Sequence, residues 1–249
     1  MERFADKIAV VTGASAGIGK EIVKELLKKK VNVIGLGRRI EKLEELSEEL
    51  SSDPELYLAK FSPFKCDVSD ANEIKEAFLW ISTNMGPVSI LINNAGVLVP
   101  KSMFEIDEET FDTIFDTNVK GLMLCSKEAI DMMIESEDGG HIVNVNSMLG
   151  HWFIQIGENL HFLYAASKHT VTALTEALRR EATLKNAPIK ISSLSPGIVE
   201  TDFSKETAMM PEDQKLQALD VARACIAVLD TPPHVLISEL TVSGIHQQL

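Results

Sequence analysis

The sequence predicts an α/β fold: a single-domain, doubly wound parallel sheet with helices on both faces. Three observations carry this reading. Short apolar runs rich in Val and Ile recur along the chain, longer amphipathic segments alternate with them, and a glycine-rich turn joins the first run to the first amphipathic segment. Strand-length runs that are apolar throughout belong to strands buried on both faces. Their alternation with helices builds right-handed βαβ units, whose strands are parallel.

In chain order the expected strands are Ile8–Thr12, Val31–Leu36, Ile90–Ile92, Ile142–Val145, Ile189–Leu194 and Val235–Thr241, the last at a sheet edge. Between them Ile18–Lys29, Glu41–Leu50, Ala71–Ser82, Phe111–Ser136 and Ser167–Leu184 are each long enough for a helix. In Glu41–Leu50 the leucines Leu43, Leu46 and Leu50 recur at helical spacing among acids, as on a solvated helix. No Gly/Ser-rich linker, repeat or shift in composition marks a boundary, so residues 1–249 are expected to form one domain.

The 249 residues are 45% hydrophobic and 24% charged, the balance of a globular chain, with a formal net charge of −13. Such a surface repels nucleic acid, which is bound by clusters of Lys and Arg. It also repels an anionic cofactor, so binding one requires a local positive site. The start, Met-Glu-Arg-Phe-Ala-Asp-Lys, lacks the apolar region and cleavage site of a secretory signal, and no stretch approaches the length of a membrane span. Cys66, Cys125 and Cys225 are scattered without CxxC spacing, which points to reduced thiols, no zinc site and a cytoplasmic location.

Gly13, Gly17 and Gly19 fall where the first strand turns into the first helix. Glycine lets backbone approach a pyrophosphate closely, and the N–H groups and positive end of a helix attract the anion; Ser15 adds a hydroxyl. A glycine-rich turn also serves plain tight packing, and the spacing is not the usual GxGxxG. At the end of the second strand, where a carboxylate would hydrogen-bond an NAD ribose, stand Gly37, Arg38 and Arg39. A guanidinium matches a 2′-phosphate and supplies positive charge, so NADP is expected; the alternative is two arginines on a solvated helix start.

Tyr164 and Lys168 are four residues apart, on one face if the segment is helical. A phenol is a poor base at neutral pH, and a neighbouring cation favours the phenolate. Ser147 follows the run Ile142–Val145, at the strand end where doubly wound sheets bind ligands.

Together Thr12-Gly13-x3-Gly17-x-Gly19, Cys66-Asp67-Val68, Asn93-Asn94-Ala95-Gly96, Asn118, Ser147, Tyr164-x3-Lys168 and Pro196-Gly197 resemble the short-chain dehydrogenase/reductase family, over essentially the whole chain. The resemblance implies a Rossmann-type fold and a catalytic set in which Tyr164 exchanges a proton with the substrate oxygen and Ser147 orients that oxygen. In it Lys168 binds the nicotinamide ribose and lowers the Tyr164 pKa, and Asn118 holds a relay water. It implies that Ile18 belongs to the glycine turn, that Asp67 and Val68 clamp the adenine, and that Asn94, Ala95 and Gly96 wall the adenosine ribose. Pro196, Gly197, Ile198 and Thr201 then receive the nicotinamide carboxamide. Gly37-Arg38 resembles the NADP-preferring members, although Ala16 stands where some of them carry a basic residue; Asn146 replaces the first serine of a frequent pair.

The step from Ser147 to Tyr164 is seventeen residues, longer than usual, and Met148-Leu149-Gly150-His151-Trp152-Phe153-Ile154 with His161-Phe162-Leu163 fits a pocket for an apolar substrate, or core packing. A short lid is expected at 202–217, with Phe203, Met209 and Met210 over the ligand or in the core. The narrower pattern, through this segment and Ile237-Ser238-Glu239-Leu240-Thr241, resembles insect-type farnesol dehydrogenases and the steroid- and retinoid-oxidising members. It implies a lipophilic alcohol or carbonyl as substrate, an isoprenoid alcohol first, and a homodimer or homotetramer. A non-catalytic dinucleotide-binding protein has no need of the complete Ser147, Tyr164, Lys168 and Asn118 set, whereas an isomerase keeps Tyr and Lys with a tightly held cofactor.

Overall fold

The computed structural model describes residues 1–54, 56, 59–136, 139–153, 161–203 and 215–247. Ile8–Thr12, buried at every position, forms the central strand β1 and passes into helix α1, Gly17–Lys28. Then follow β2 (Asn32–Gly37), α2 (Ile40–Ser51), β3 (Phe61–Lys65), α3 (Ala71–Asn84) and β4 (Val88–Asn93). The second half comprises α4 (Glu108–Phe115), α5 (Leu122–Glu135), β5 (Gly140–Val145), α6 (Phe162–Leu184) and β6 (Ile189–Pro196). A two-residue pair, β7 (Val199–Glu200) with β8 (Leu216–Gln217), precedes α7 (Ala218–Leu229) and the last strand, β9 (Glu239–Val242).

The main sheet has seven parallel strands in the order β3-β2-β1-β4-β5-β6-β9. The first half of the chain winds outward from β1 and the second outward from β4. The crevice where the two directions part lies at the carboxyl ends of β1 and β4, where such sheets place ligands. Successive residues of each strand feed opposite faces: Val11 packs with Ile22, Leu26 and Ala222 of α1 and α7, while Val10 packs with Ile74, Phe78 and Ala129 of α3 and α5. Burying each such aliphatic side chain stabilises by about 1.5–3 kcal/mol, and truncating the fully buried Leu26 to Ala costs about 2–5 kcal/mol.

The expected fold class is the one observed, with four differences in detail. β3 has no counterpart among the expected strands, because it carries Pro63, lies at the sheet edge and is only partly buried. The apolar run of α7 was likewise not singled out. The expected helix Phe111–Ser136 begins at Glu108 and is interrupted by a π-helical turn, Asp116–Gly121. The last strand is confined to Glu239–Val242; before it the carbonyls of Val235 and Ile237 accept from the Lys190 ammonium and the Ser192 hydroxyl, side chains of β6, and not from ladder amides.

Cys66, Cys125 and Cys225 are free and buried, and burial pushes the Cys66 and Cys225 thiols up to about 12. They are packing groups, not nucleophiles. Among the described residues no helix is long and apolar enough to cross a membrane, and no group of His, Cys, Asp and Glu is arranged to hold a metal ion.

Candidate active site

A cleft of about 630 Å³ opens at the switch point and runs from the β1–α1 turn past β4 and β5 to the end of β6. The turn needs glycine for stated reasons. Gly13 and Gly17 have φ of +65° and +54°, and a Cβ on Gly13 would press on Ala95 and the Asn94 amide at 3.0 Å. α1 starts without a side-chain cap on Ala16 and without an acid in its first turn. Its N-terminal end therefore faces the cleft with its positive potential uncompensated, an arrangement suited to a phosphate.

Thr12 holds this turn against β4. Its hydroxyl accepts from the amides of Asn94 (3.0 Å) and Ala95 (2.9 Å) and donates to the Ile92 carbonyl. The Asn94 amide nitrogen in return donates to the carbonyls of Thr12 (2.9 Å) and Gly13 (3.2 Å). In the sequence Thr12 is one position of a motif with no part in the site; the structure makes it the fastener of the crevice.

Of the residues expected at the site, all but Gly19 and Asn118 line the cleft. Gly19 is buried against the Gly13 carbonyl and the Asn94 amide, where any Cβ would collide, so its part is close packing of the turn. Arg38 and Arg39 reach the cleft from the end of β2, exposed to solvent and without an ion pair among the described residues. Opposite, one carboxylate oxygen of Asp67 accepts from both the amide and hydroxyl of Ser69, which leaves the other oxygen for a ligand.

Ser147, Tyr164 and Lys168 meet at the other end. α6 starts five residues earlier than expected, so Tyr164 sits in its first turn. The phenol is 7% exposed and Lys168 is 5% exposed. The Lys168 ammonium donates to the Val145 carbonyl at 2.9 Å and lies 5.7 Å from the Tyr164 ring centre, while the Ser147 hydroxyl hydrogen-bonds the phenol. Burial raises the Tyr164 pKa above its ordinary value, with the Ser147 bond working the other way, and burial pushes Lys168 down to about 8. Burial thus works against the charged form of both groups, so an ionised Tyr164 needs the Ser147 hydroxyl and the Lys168 cation to offset its lost hydration.

Asn118 lies behind this group on the π-helical turn. Its Oδ1 accepts from the Val97 amide (2.8 Å), and its Nδ2 donates to the Val97 carbonyl and to Ser167 Oγ, both at 3.0 Å. Ser167 Oγ in turn donates to the Tyr164 carbonyl at 2.7 Å. Both amide hydrogens are engaged by protein, so a relay water here has none left to accept, and main-chain atoms of the turn are what remains to hold one. A π-helical turn is itself a frequent mark of a functional site.

The substrate end is apolar in part through Leu98, which no sequence pattern marks, and in part through Phe203, which is expected over the ligand. Leu98 packs against Leu149 and Tyr164, and the Phe203 ring tilts over the Tyr164 ring at 5.8 Å. Met148, Leu149 and His161 line the cleft as expected; Trp152 and Phe153 do not, being turned out to solvent. His151 bonds Ser195 at 3.0 Å, away from the cleft. Ile154, Met209, Met210 and most of the expected lid lie outside the described residues. Gln247, near the end of the chain, also reaches the cleft, and no sequence pattern marked it.

A Rossmann-type sheet with a glycine turn at its switch point defines a doubly wound nucleotide-binding protein. The family model described as short chain dehydrogenase matches residues 7–212. The chain is 39% identical, over 100% of both chains, to the farnesol dehydrogenase of Aedes aegypti. It is 37% identical to human dehydrogenase/reductase SDR family member 11, covering 99% of this chain and 97% of that one. Among solved structures, an alcohol dehydrogenase from the archaeon Thermococcus sibiricus, complexed with 5-hydroxy-NADP, superposes with a TM-score of 0.87 at 25% identity, covering 98% of each chain. The protein belongs to the short-chain dehydrogenase/reductase family of oxidoreductases.

Proposed function

We propose that the protein is an NADP(H)-dependent alcohol dehydrogenase/carbonyl reductase acting on a lipophilic alcohol or its carbonyl, with Tyr164 as the acid/base. The observation that carries this is the juxtaposition of Ser147, Tyr164 and Lys168 in the cleft that also holds the uncapped end of α1. That cleft fits a dinucleotide: the left-handed Gly13 and Gly17 leave its floor without side chains, and Arg38 and Arg39 bring unpaired positive charge to the end of β2. In this reading the turn Gly13–Gly19 with Ser15 and Ile18 holds the pyrophosphate, and Arg38 with Arg39 the 2′-phosphate. Asp67 and Val68 flank the adenine, Asn94-Ala95-Gly96 the adenosine ribose, Lys168 the nicotinamide ribose, and Pro196, Gly197, Ile198 and Thr201 the carboxamide.

When bound, the nicotinamide supplies or accepts the hydride. The chain supplies the rest. Ser147 holds the substrate oxygen by a hydrogen bond, and the neutral Tyr164 phenol donates its proton to that oxygen in the reducing direction. The Lys168 cation stabilises the phenolate that results. In the oxidising direction the Tyr164 phenolate, stabilised by the Lys168 cation, takes the proton from the alcohol oxygen and becomes the phenol. Leu98, Leu149 and Phe203 exclude water and favour an apolar substrate. The identity to a farnesol dehydrogenase supports an isoprenoid alcohol as the first to try. Exposed Met103, Phe104, Phe111 and Met123 support self-association.

The test is the initial rate of cofactor reduction with farnesol, geraniol and a secondary steroid alcohol, each with NADP and with NAD. Turnover faster with NADP and fastest on an apolar alcohol is expected. Preference for NAD removes the phosphate assignment, and no turnover in either direction across the panel removes the enzyme.

A further inference from the structure

The carboxyl-terminal tail enters the cleft beside Gly197 and Ile198, the proposed seat of the nicotinamide carboxamide. Gln247 Oε1 accepts a hydrogen bond from the main-chain N–H of Ile198 at 3.2 Å. Its amide lies so close over Gly197 that any side-chain carbon there would collide with it. Both Gln247 and Ile198 line the cleft. The group that the tail presents is a primary carboxamide, the same functional group that a nicotinamide ring carries.

We propose that Gln247 is a residue of the cofactor site that competes with the cofactor: its carboxamide holds the Ile198 N–H and is displaced when the nicotinamide carboxamide takes that donor. This inference rests on the dinucleotide reading of the cleft. One N–H cannot serve two acceptors with good geometry, and the space over Gly197 holds one amide. The tail is also cheap to displace. It is fixed near Gln247 by a turn bond from the Gln247 amide to the Gly244 carbonyl (3.0 Å), while Ile245, the large apolar residue among its described residues 243–247, is 90% exposed. β9 itself stays in place through its pairing with β6 and the bond from the Gly197 amide to the Val242 carbonyl (2.7 Å). Residues 243–247 are thus a short arm whose main tie to the cleft is the amide that the cofactor replaces.

The contact lowers the affinity for the whole cofactor and leaves untouched any ligand that ends before the nicotinamide. The experiment is calorimetric titration of the full-length protein and of Gln247→Ala with two ligands: NADP, and adenosine 2′,5′-bisphosphate, which has the phosphate-bearing adenosine but no nicotinamide. In Gln247→Ala the dissociation constant for NADP falls by about two- to tenfold, the equivalent of one neutral hydrogen bond, and that for the bisphosphate stays the same. Truncation after His246 gives the same pattern and guards against an effect of the alanine. NADP affinity that is unchanged or weakened overturns the proposal, since the tail is then inert or a clamp on the cofactor. Equal tightening of both ligands also overturns it, because the effect is then not at the carboxamide. If wild type binds the bisphosphate but not NADP, the carboxamide seat is wrong, and if it binds neither, the dinucleotide reading itself fails.

Discussion

The Lys168 ammonium donates to the carbonyl of Val145, two residues before Ser147, at 2.9 Å. This one bond fastens α6 to the end of β5. It sets Tyr164, one helical turn before Lys168, against the Ser147 hydroxyl, so a lysine that reads in sequence as an electrostatic partner is also the strut that assembles the site.

The buried ammonium makes stability depend on pH in a definite direction. Its folded pKa, about 8, is below the ordinary value of 10.5, so the charged form is disfavoured by folding. The unfolded chain binds more protons between those values, and stability rises with pH there by up to about 1.4 kcal/mol per unit. Urea unfolding from pH 8 to 10 is predicted to show wild type gaining on Lys168→Met. Parallel curves for the two proteins contradict the shift.

His141 acts at the acid end. It is fully buried in β5, where its Nε2 bonds Ser192 Oγ at 2.8 Å and its Nδ1 has no partner, and burial holds its pKa down to about 3. The depressed value means that its contribution is present above the ordinary value of 6.5 and is lost as pH falls toward 3. Between pH 7 and 4.5 wild type is predicted to lose about 2–3 kcal/mol more than His141→Gln, which keeps a donor for Ser192 but does not titrate. Chemical unfolding at the two pH values checks this, and an equal loss in both proteins rules it out.

Thr12 is predicted to be a stability residue of the crevice. Thr12→Val keeps the shape but leaves the amides of Asn94 and Ala95 without their acceptor, at a cost of about 2–4 kcal/mol, whereas Thr12→Ser costs about 1 kcal/mol or less. Thermal or urea denaturation of the pair decides it: a valine variant as stable as the serine one means that the hydroxyl does not hold the turn.

Arg38→Ala is predicted to weaken NADP binding by about tenfold, the loss of an exposed charge-assisted contact, and to leave NAD binding within about twofold. Titration of both cofactors separates the cases. An equal loss for both puts Arg38 outside the phosphate site.

Much of this was legible before the structure. β1, β2, β4, β5 and β6 announce themselves because strands buried on both faces must be apolar at every position, and the Gly13–Gly19 turn because left-handed backbone demands glycine. β3 stayed hidden because an edge strand with Pro63 needs no continuous apolar run. The π-helical turn at Asn118 was hidden for another reason. It is imposed by bonds to Val97 and Ser167, residues far away in sequence, and helical periodicity carries no trace of such partners. Thr12, Leu98 and Gln247 belong to the same class. Residue type alone says that they can bond or pack, and only the fold says to what.

The most direct test of the reading is Tyr164→Phe, assayed for turnover of an apolar alcohol with NADP and, separately, for NADP affinity. We predict a fall in kcat of about 10²–10⁴-fold with the dissociation constant for NADP unchanged, as expected when the proton donor is removed and the cleft is not. A variant that turns over within about tenfold of wild type would show that the proton travels by another group, and that Tyr164 is a packing residue of α6.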